Sequence, residues 1–182
     1  MELTINRTKV VLEKGDITHQ RTDAIVNAAN GTLLGGGGVD GAIHRAAGKE
    51  LLDACKRIRE DDLGGEKLQT GEAVITQGYQ LPGSHVIHTV GPVWGGDKSE
   101  KEQLLKNCYE NSLKLVYKHN LKSVAFPAIS TGVYHFPIGL ATTIAVKSIV
   151  QAIQKRDMDK VVFVLFSEED YQTYEKELKK FQ

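Results

Sequence analysis

The sequence predicts an α/β fold, with a largely parallel sheet held between helical layers, and two observations carry that prediction. Short strand-like runs alternate with longer stretches whose apolar residues recur at helical spacing along the whole 182-residue chain. Among the strands, Ala24–Asn27 (AIVN) and Val161–Phe166 (VVFVLF) lack polar alternation, the pattern of a strand covered on both faces.

Taken in order, Leu3–Ile5 and Lys9–Glu13 read as short strands, followed by a turn-like Gly15-Asp16-Ile17-Thr18. After the buried strand Ala24–Asn27, a helix is expected from about Asp40 to Arg59, with Ile43, Ala47, Leu51, Cys55 and Ile58 on one stripe. Gly48, in its middle, is positioned to kink or divide it. Asp61–Gly71 is polar and glycine-bearing, hence a loop. Ala73–Gln77 and His85–Val90 are the next strands, and Gly91-Pro92 ends the second because proline cannot continue a central ladder. Leu104, Leu105, Cys108, Ser112, Leu115 and Val116 mark a helix over Glu100–His119. Ser123–Pro127 is a strand with the loop Ile129–Tyr134 behind it. Ile138–Lys155 is helical, with Ala141, Ile144, Ala145, Ile149 and Ile153 inward. Ser167, with Asp170 three residues on, caps a last helix whose apolar face is Tyr171, Tyr174, Leu178 and Phe181. With no repeat, low-complexity tract or linker, residues 1–182 read as one domain.

Composition narrows the function. Basic and acidic residues balance at 23 each, which argues against a partner held mainly by counterion release, such as bulk DNA. No run of about eighteen apolar residues spans a membrane, and the N-terminal MELTINRTKV lacks a signal-peptide layout. Cys55 and Cys108 lie far apart inside helix-like patterns, so both are expected as small core residues, with a reducing cytoplasm the simplest home. His85 and His88 fall on opposite faces of a strand and neither cysteine has a partner at zinc spacing, so no metal or cofactor is expected. No exposed apolar helix face is evident, which makes a monomer the default.

The most informative stretch is Asn27–His44, NAANGTLLGGGGVDGAIH. Gly35–Gly38 strip the backbone bare just ahead of a helix, an entropically costly choice for an ordinary turn. Bare amides at a helix N-terminus suit a phosphate or pyrophosphate. Ligands of such sheets gather outside the carboxyl ends of strands, where Gly15–Thr18, Asn27–Asp40, Ile129–Tyr134 and the Phe166–Ser167 junction all lie. Two of these loops, Asn27–Asp40 and Ile129–Tyr134, are glycine-bearing anion-loop candidates, which suits a diphosphate held from both sides. Gly36-x-Gly38-x-x-Gly41 formally matches the dinucleotide fingerprint of dehydrogenases, but Ala28–Leu34 separate it from the strand and Asp61-Asp62 follow a helix. No Gly-Lys-Ser/Thr follows, so the run is not a P-loop.

Gly15–Thr18, the Asn27–His44 run, HTVGPVW at 88–94 and ISTGVY at 129–134 together resemble a macrodomain, and within that family the MacroD-type ADP-ribose hydrolases. The resemblance covers essentially the whole chain in order. It implies a three-layer α/β/α sandwich with a mixed sheet and a cleft for ADP-ribose. It also implies removal of mono-ADP-ribose from acidic side chains of modified proteins and deacetylation of O-acetyl-ADP-ribose. The alternative it leaves open is a module that reads ADP-ribose without cleaving it.

The same resemblance assigns residues. Asp16 and Ile17 meet adenine, although a Gly-Asp pair taken alone is more often a turn cap. Phe166 either lies against the adenosine or belongs to the core. Gly35, Gly36, Gly37, Gly38 and Val39 form one phosphate loop and Ser130, Thr131, Gly132 and Val133 the other, with Tyr134 walling the distal ribose. Asn30 holds the ribose hydroxyls, while Asn27 is expected to tie its own loop together. Asp40 is the expected catalytic residue, and an N-cap role is compatible with that. His44, four residues on, either orients Asp40 or a water, or is structural. His135 departs from a glycine common at that place, which bears on loop freedom and access.

Overall fold

In a computed structural model covering residues 1–182, seven strands form one mixed sheet. They are β1 (Glu2–Ile5), β2 (Thr8–Lys14), β3 (Ala24–Ala29), β4 (Ala73–Gln77), β5 (His85–Val90), β6 (Ser123–Phe126) and β7 (Lys160–Leu165), in the order β1-β2-β7-β6-β3-β5-β4. The five inner strands are parallel, and only the edge strands β1 and β4 pair antiparallel.

The helices are α1 (Gly38–Ala47), α2 (Lys49–Arg57), α3 (Lys98–Lys118), α4 (Ile138–Lys155) and α5 (Glu168–Leu178). They cover both faces, as the apolar inner strands require. On one face Val26, Ile87, Phe126 and Phe163 join residues of α3, α4 and α5 in a core of 26 buried residues. On the other, Ile25, Ala29, Val86 and Val162 join Ile43, Ala47, Leu51 and Cys55 of α1 and α2 in a core of 15. Both cysteines are buried free thiols.

Several boundaries differ from the sequence reading for identifiable reasons. The helix expected over Asp40–Arg59 is two helices, because Gly48 takes φ +89°, a conformation side-chain-bearing residues rarely adopt. It also starts earlier, since the Gly41 amide already donates to the Gly37 carbonyl at 3.1 Å. β3 runs on through Ala28 and Ala29, which find partners in Thr89 and Val90 of β5. β7 stops at Leu165, whose carbonyl accepts from Gly15, so Phe166 leaves the sheet. Ser167 caps α5 as expected, its Oγ accepting from the Asp170 amide at 3.1 Å.

The topology opens a gap in one place. β3 and β6 are neighbours, yet they pair only through Ala24 with Val124 and Ile25 with Ala125, whereas β3 matches β5 over all six residues. From β3 the chain passes to α1 on the smaller core, and from β6 to α4 on the larger one. Departure to opposite faces at adjacent carboxyl ends is the switch point where α/β sheets form clefts.

Candidate active site

The loop after β3 is stapled from several sides. Leu33 is buried in the smaller core, Leu68 donates its amide to the Gly31 carbonyl at 2.9 Å, and Arg59 Nη1 donates to Thr32 O at 3.1 Å. Asn30 ties the loop to itself: its Nδ2 donates to Gly35 O at 2.8 Å, while Oδ1 accepts from the Thr32 amide at 3.1 Å and from the Thr32 hydroxyl. That loop-tying role is the one the sequence reading expected of Asn27, whose side chain instead turns to Asp40. Asn27 is fully buried, its β3 side chain on the α1 face, and Nδ2 donates to Asp40 Oδ1 at 2.8 Å.

Asp40 is therefore not an N-cap. Gly37 holds that position without a side chain, and Asp40 lies in the first turn of α1, only 5% exposed. His44, one turn on, has Nε2 3.4 Å from the same Oδ1. Both partners thus use one carboxylate oxygen. The other, Oδ2, faces Gly36: a Cβ there would lie 3.3 Å from Asp40 Oδ2 and 3.2 Å from Asn30 Nδ2. A glycine at 36 lets a ligand come between a carboxylate and an amide donor.

The second loop, after β6, meets the first across the switch point. Ser130 takes φ +67°, unusual for a residue with a side chain, and is held by the Phe136 amide donating to its carbonyl at 2.9 Å. Gly91, behind β5, lets it sit so close, because a Cβ at 91 would come within 2.1 Å of Ser130 Oγ. The Trp94 amide donates to Tyr134 O at 2.9 Å, and Trp94 packs at a tilt of 53° against buried Phe136 with ring centroids 4.5 Å apart. His135 takes φ +58°, which explains why a glycine would suit that place.

Between the loops opens a cleft of about 430 Å³, lined by Ala28, Ala29, Asn30, Gly36, Gly37, Gly38, Val39, Asp40, Gly91, Ala128, Ile129, Ser130, Gly132, Val133 and Tyr134. Ten of these were expected from the sequence. Of the remaining candidates, Gly35 and His44 line a separate groove that shares only Gly36 with the cleft, and Thr131 is not on the cleft wall. Asp16, Ile17 and Phe166 lie off the cleft too, gathered at the ends of the paired strands β2 and β7. Asp16 does cap a short 3-10 turn, Oδ1 accepting from the Thr18 amide at 2.9 Å and hydroxyl at 2.7 Å. Those bonds, the hydroxyl's first, hold its carboxyl below the usual range, and its other oxygen remains outward, 3.8 Å from His19 Nε2. Phe166 is 92% exposed, so it does not belong to the core.

The sequence reading missed Gly91, Ala28, Ala29, Ala128 and Ile129 as cleft wall, and it missed His88. That histidine is fully buried beside Asn27, Nδ1 3.1 Å from Asn27 Nδ2. Burial, and then the neighbouring His44, push its imidazole down to about 3, so it stays neutral. A polar residue in the middle of the buried strands AIVNAA and HVIHTV was the available signal. Their pairing, Asn27 opposite His88, was not.

A family model described as the macro domain matches residues 26–145. The chain belongs to the macro domain family. This macrodomain is 52% identical over 166 residues to a macro domain-containing protein of Chlorobaculum tepidum, covering 91% of this chain and 92% of that one. It is 50% identical over 171 residues to the O-acetyl-ADP-ribose deacetylase of Escherichia coli, covering 93% and 95%. Among solved structures, the Oceanobacillus iheyensis macrodomain with ADP superposes at TM-score 0.97 with 53% identity, over 100% of this chain and 95% of that one. The Trypanosoma brucei macrodomain in complex with ADP-ribose superposes at 0.83 with 43% identity, over 92% and 68%.

Proposed function

We propose that this macrodomain binds ADP-ribose and hydrolyses esters of its distal ribose, deacetylating O-acetyl-ADP-ribose and releasing mono-ADP-ribose from aspartate and glutamate side chains of modified proteins. The observation that carries the reading is Asp40. It is a buried carboxylate whose partners all occupy Oδ1, so that Oδ2 faces Gly36 and the Asn30 amide at the cleft. Relatives at about half identity bear the name O-acetyl-ADP-ribose deacetylase, which supports the same chemistry.

In this reading the backbone around Gly36–Val39 and Ser130–Val133 grips the diphosphate, and Phe166 with Asp16 and Ile17 receives the adenosine end. Grip remote from the ester fixes the ribose against Asp40, which lowers the barrier through orientation. Oδ2 accepts a hydrogen bond from a water and aims it at the ester, while Asn30 Nδ2 donates to a ribose hydroxyl. Tyr134 walls the ribose. Titration calorimetry with ADP-ribose tests binding, and product release from O-acetyl-ADP-ribose and from an auto-modified glutamate-linked substrate tests hydrolysis. In Asp40→Ala, turnover should collapse while ADP-ribose affinity stays within about tenfold, or 1.4 kcal/mol. Tight binding with no turnover in the wild type would make it a reader instead.

A further inference from the structure

We propose that His88 is a positioning residue for Asp40: its bare Nδ1 sets the Asn27 amide so that Asn27 donates to Asp40 Oδ1 and Oδ2 is left for the cleft. The effect on turnover rests on the hydrolase reading above; the positioning itself does not.

Asn27 Nδ2 carries two protons and meets two acceptor sites, Asp40 Oδ1 at 2.8 Å and His88 Nδ1 at 3.1 Å. Its Oδ1 is buried and finds no protein donor. The opposite amide orientation would turn that oxygen on the Asp40 carboxylate, replacing attraction by repulsion. The orientation shown therefore requires a lone pair, not a proton, on His88 Nδ1.

The far side of the ring supplies that condition. Thr76 of β4 faces the same way as His88, two residues diagonal from it in the antiparallel pairing, opposite Val86. Its hydroxyl donates to Val86 O at 3.5 Å and stands 3.0 Å from His88 Nε2, which it can accept from. The Cys55 thiol of α2 lies 3.8 Å from the same nitrogen, and burial, followed by the charge of Asp40, pushes it up to about 12, so it brings no charge. From α1 the ring of His44 approaches with centroids 6.4 Å apart. Thr76, His88, Asn27 and Asp40 form one buried line from the sheet edge to the cleft, and each link fixes the proton of the next.

Nitrogen-15 NMR of the wild type should find His88 protonated on Nε2 and bare on Nδ1. His88→Phe keeps a ring and loses the acceptor; kcat on O-acetyl-ADP-ribose should fall about tenfold or more, with KM and ADP-ribose affinity within about threefold. His88→Asn, whose side-chain oxygen can stand where Nδ1 stood, should recover most of kcat. Equal kcat in the two variants, an unchanged kcat in His88→Phe, or a proton on Nδ1 in the wild type would each overturn the proposal. If His88→Phe does not fold, Thr76→Val serves: loss of the Nε2 partner should lower kcat and move the tautomer, and an unaltered kcat would count against it. Should the protein cleave no ester at all, the hydrolase reading fails while the tautomer and the Asn27 side-chain resonances still decide the positioning.

Discussion

Asn27 and His88 stand opposite one another on adjacent parallel strands, and through Asn27 the carboxylate of Asp40 is joined to the sheet rather than only to its own helix. Asp40 is thus held by two elements that are packed independently, α1 and β3. Rigid support of this kind suits the water-aiming role proposed for Asp40.

Replacing Asn27 by Asp should put two carboxylates at hydrogen-bond distance in a fully buried place, since Asn27 Nδ2 is now 2.8 Å from Asp40 Oδ1. Like charges so close cannot both ionise. The variant should lose about 3 kcal/mol or more relative to the wild type at pH 8. The deficit should shrink at pH 5, where the pair retains a proton in the folded state. Urea denaturation at both pH values checks this, and a deficit independent of pH would contradict it.

Gly91 tests the close approach of the two loops. A methyl group there would lie 2.1 Å from Ser130 Oγ and 2.8 Å from Ile129 Cγ2. Gly91→Ala should cost about 1–3 kcal/mol through overpacking. Ser130→Gly in the same chain should recover part of that loss, because it removes the clashing hydroxyl and relieves φ +67°. A double-mutant cycle by chemical denaturation measures the coupling, and strictly additive losses would show that the loops do not bear on one another here.

Stability should fall with acid through His88. Its folded pKa is depressed to about 3 by burial first and His44 second, against 6.5 when unfolded. Between those values the unfolded chain takes up a proton that the folded one refuses. The stabilisation is complete above pH 6.5 and is lost as the pH falls toward 3, by about 1.4 kcal/mol per unit. His44 and Cys55 face the ring, Asp40 reaches it only through Asn27, and all three are common to wild type and variant. Between pH 6.5 and pH 5 the wild type should therefore lose about 2 kcal/mol more than His88→Asn. Parallel slopes in urea titrations would refute this.

Phe166 separates fold from ligand. At 92% exposed, it contributes little to the core, so Phe166→Ala should change stability by no more than about 0.5 kcal/mol. If the ring lies against adenine, ADP-ribose affinity should drop by about 1–3 kcal/mol, the usual worth of stacking a base on an aromatic side chain. Calorimetry with ADP-ribose and with ribose 5-phosphate distinguishes the cases, because only the ligand with a base should respond.

Local pattern was enough for the elements and for most of the cleft. Strands β4 and β5 and helix α4 have the ends expected from apolar periodicity and from Gly91-Pro92. The glycine run and Ser130–Tyr134 are legible because bare backbone before a helix has few other uses. Phe166 was ambiguous, since an aromatic ending an apolar strand looks the same inside or outside the core. Its exposure depends on β7 ending at Leu165, a matter of pairing with β2.

What the chain's order of residues settled is which segments are strands and helices and which loops can offer amides to an anion, because those properties come from neighbours a few positions apart. What required the folded molecule is the contact of Asn27 with Asp40, the loop-tying bonds of Asn30, and the placing of His88 and Thr76 behind Asn27 and of Gly91 at the cleft. Asn27 and His88 are 61 positions apart, and only strand register brings their side chains onto one face. Hydrogen-bond partners across a sheet follow from pairing and pleat, which no local window of sequence contains.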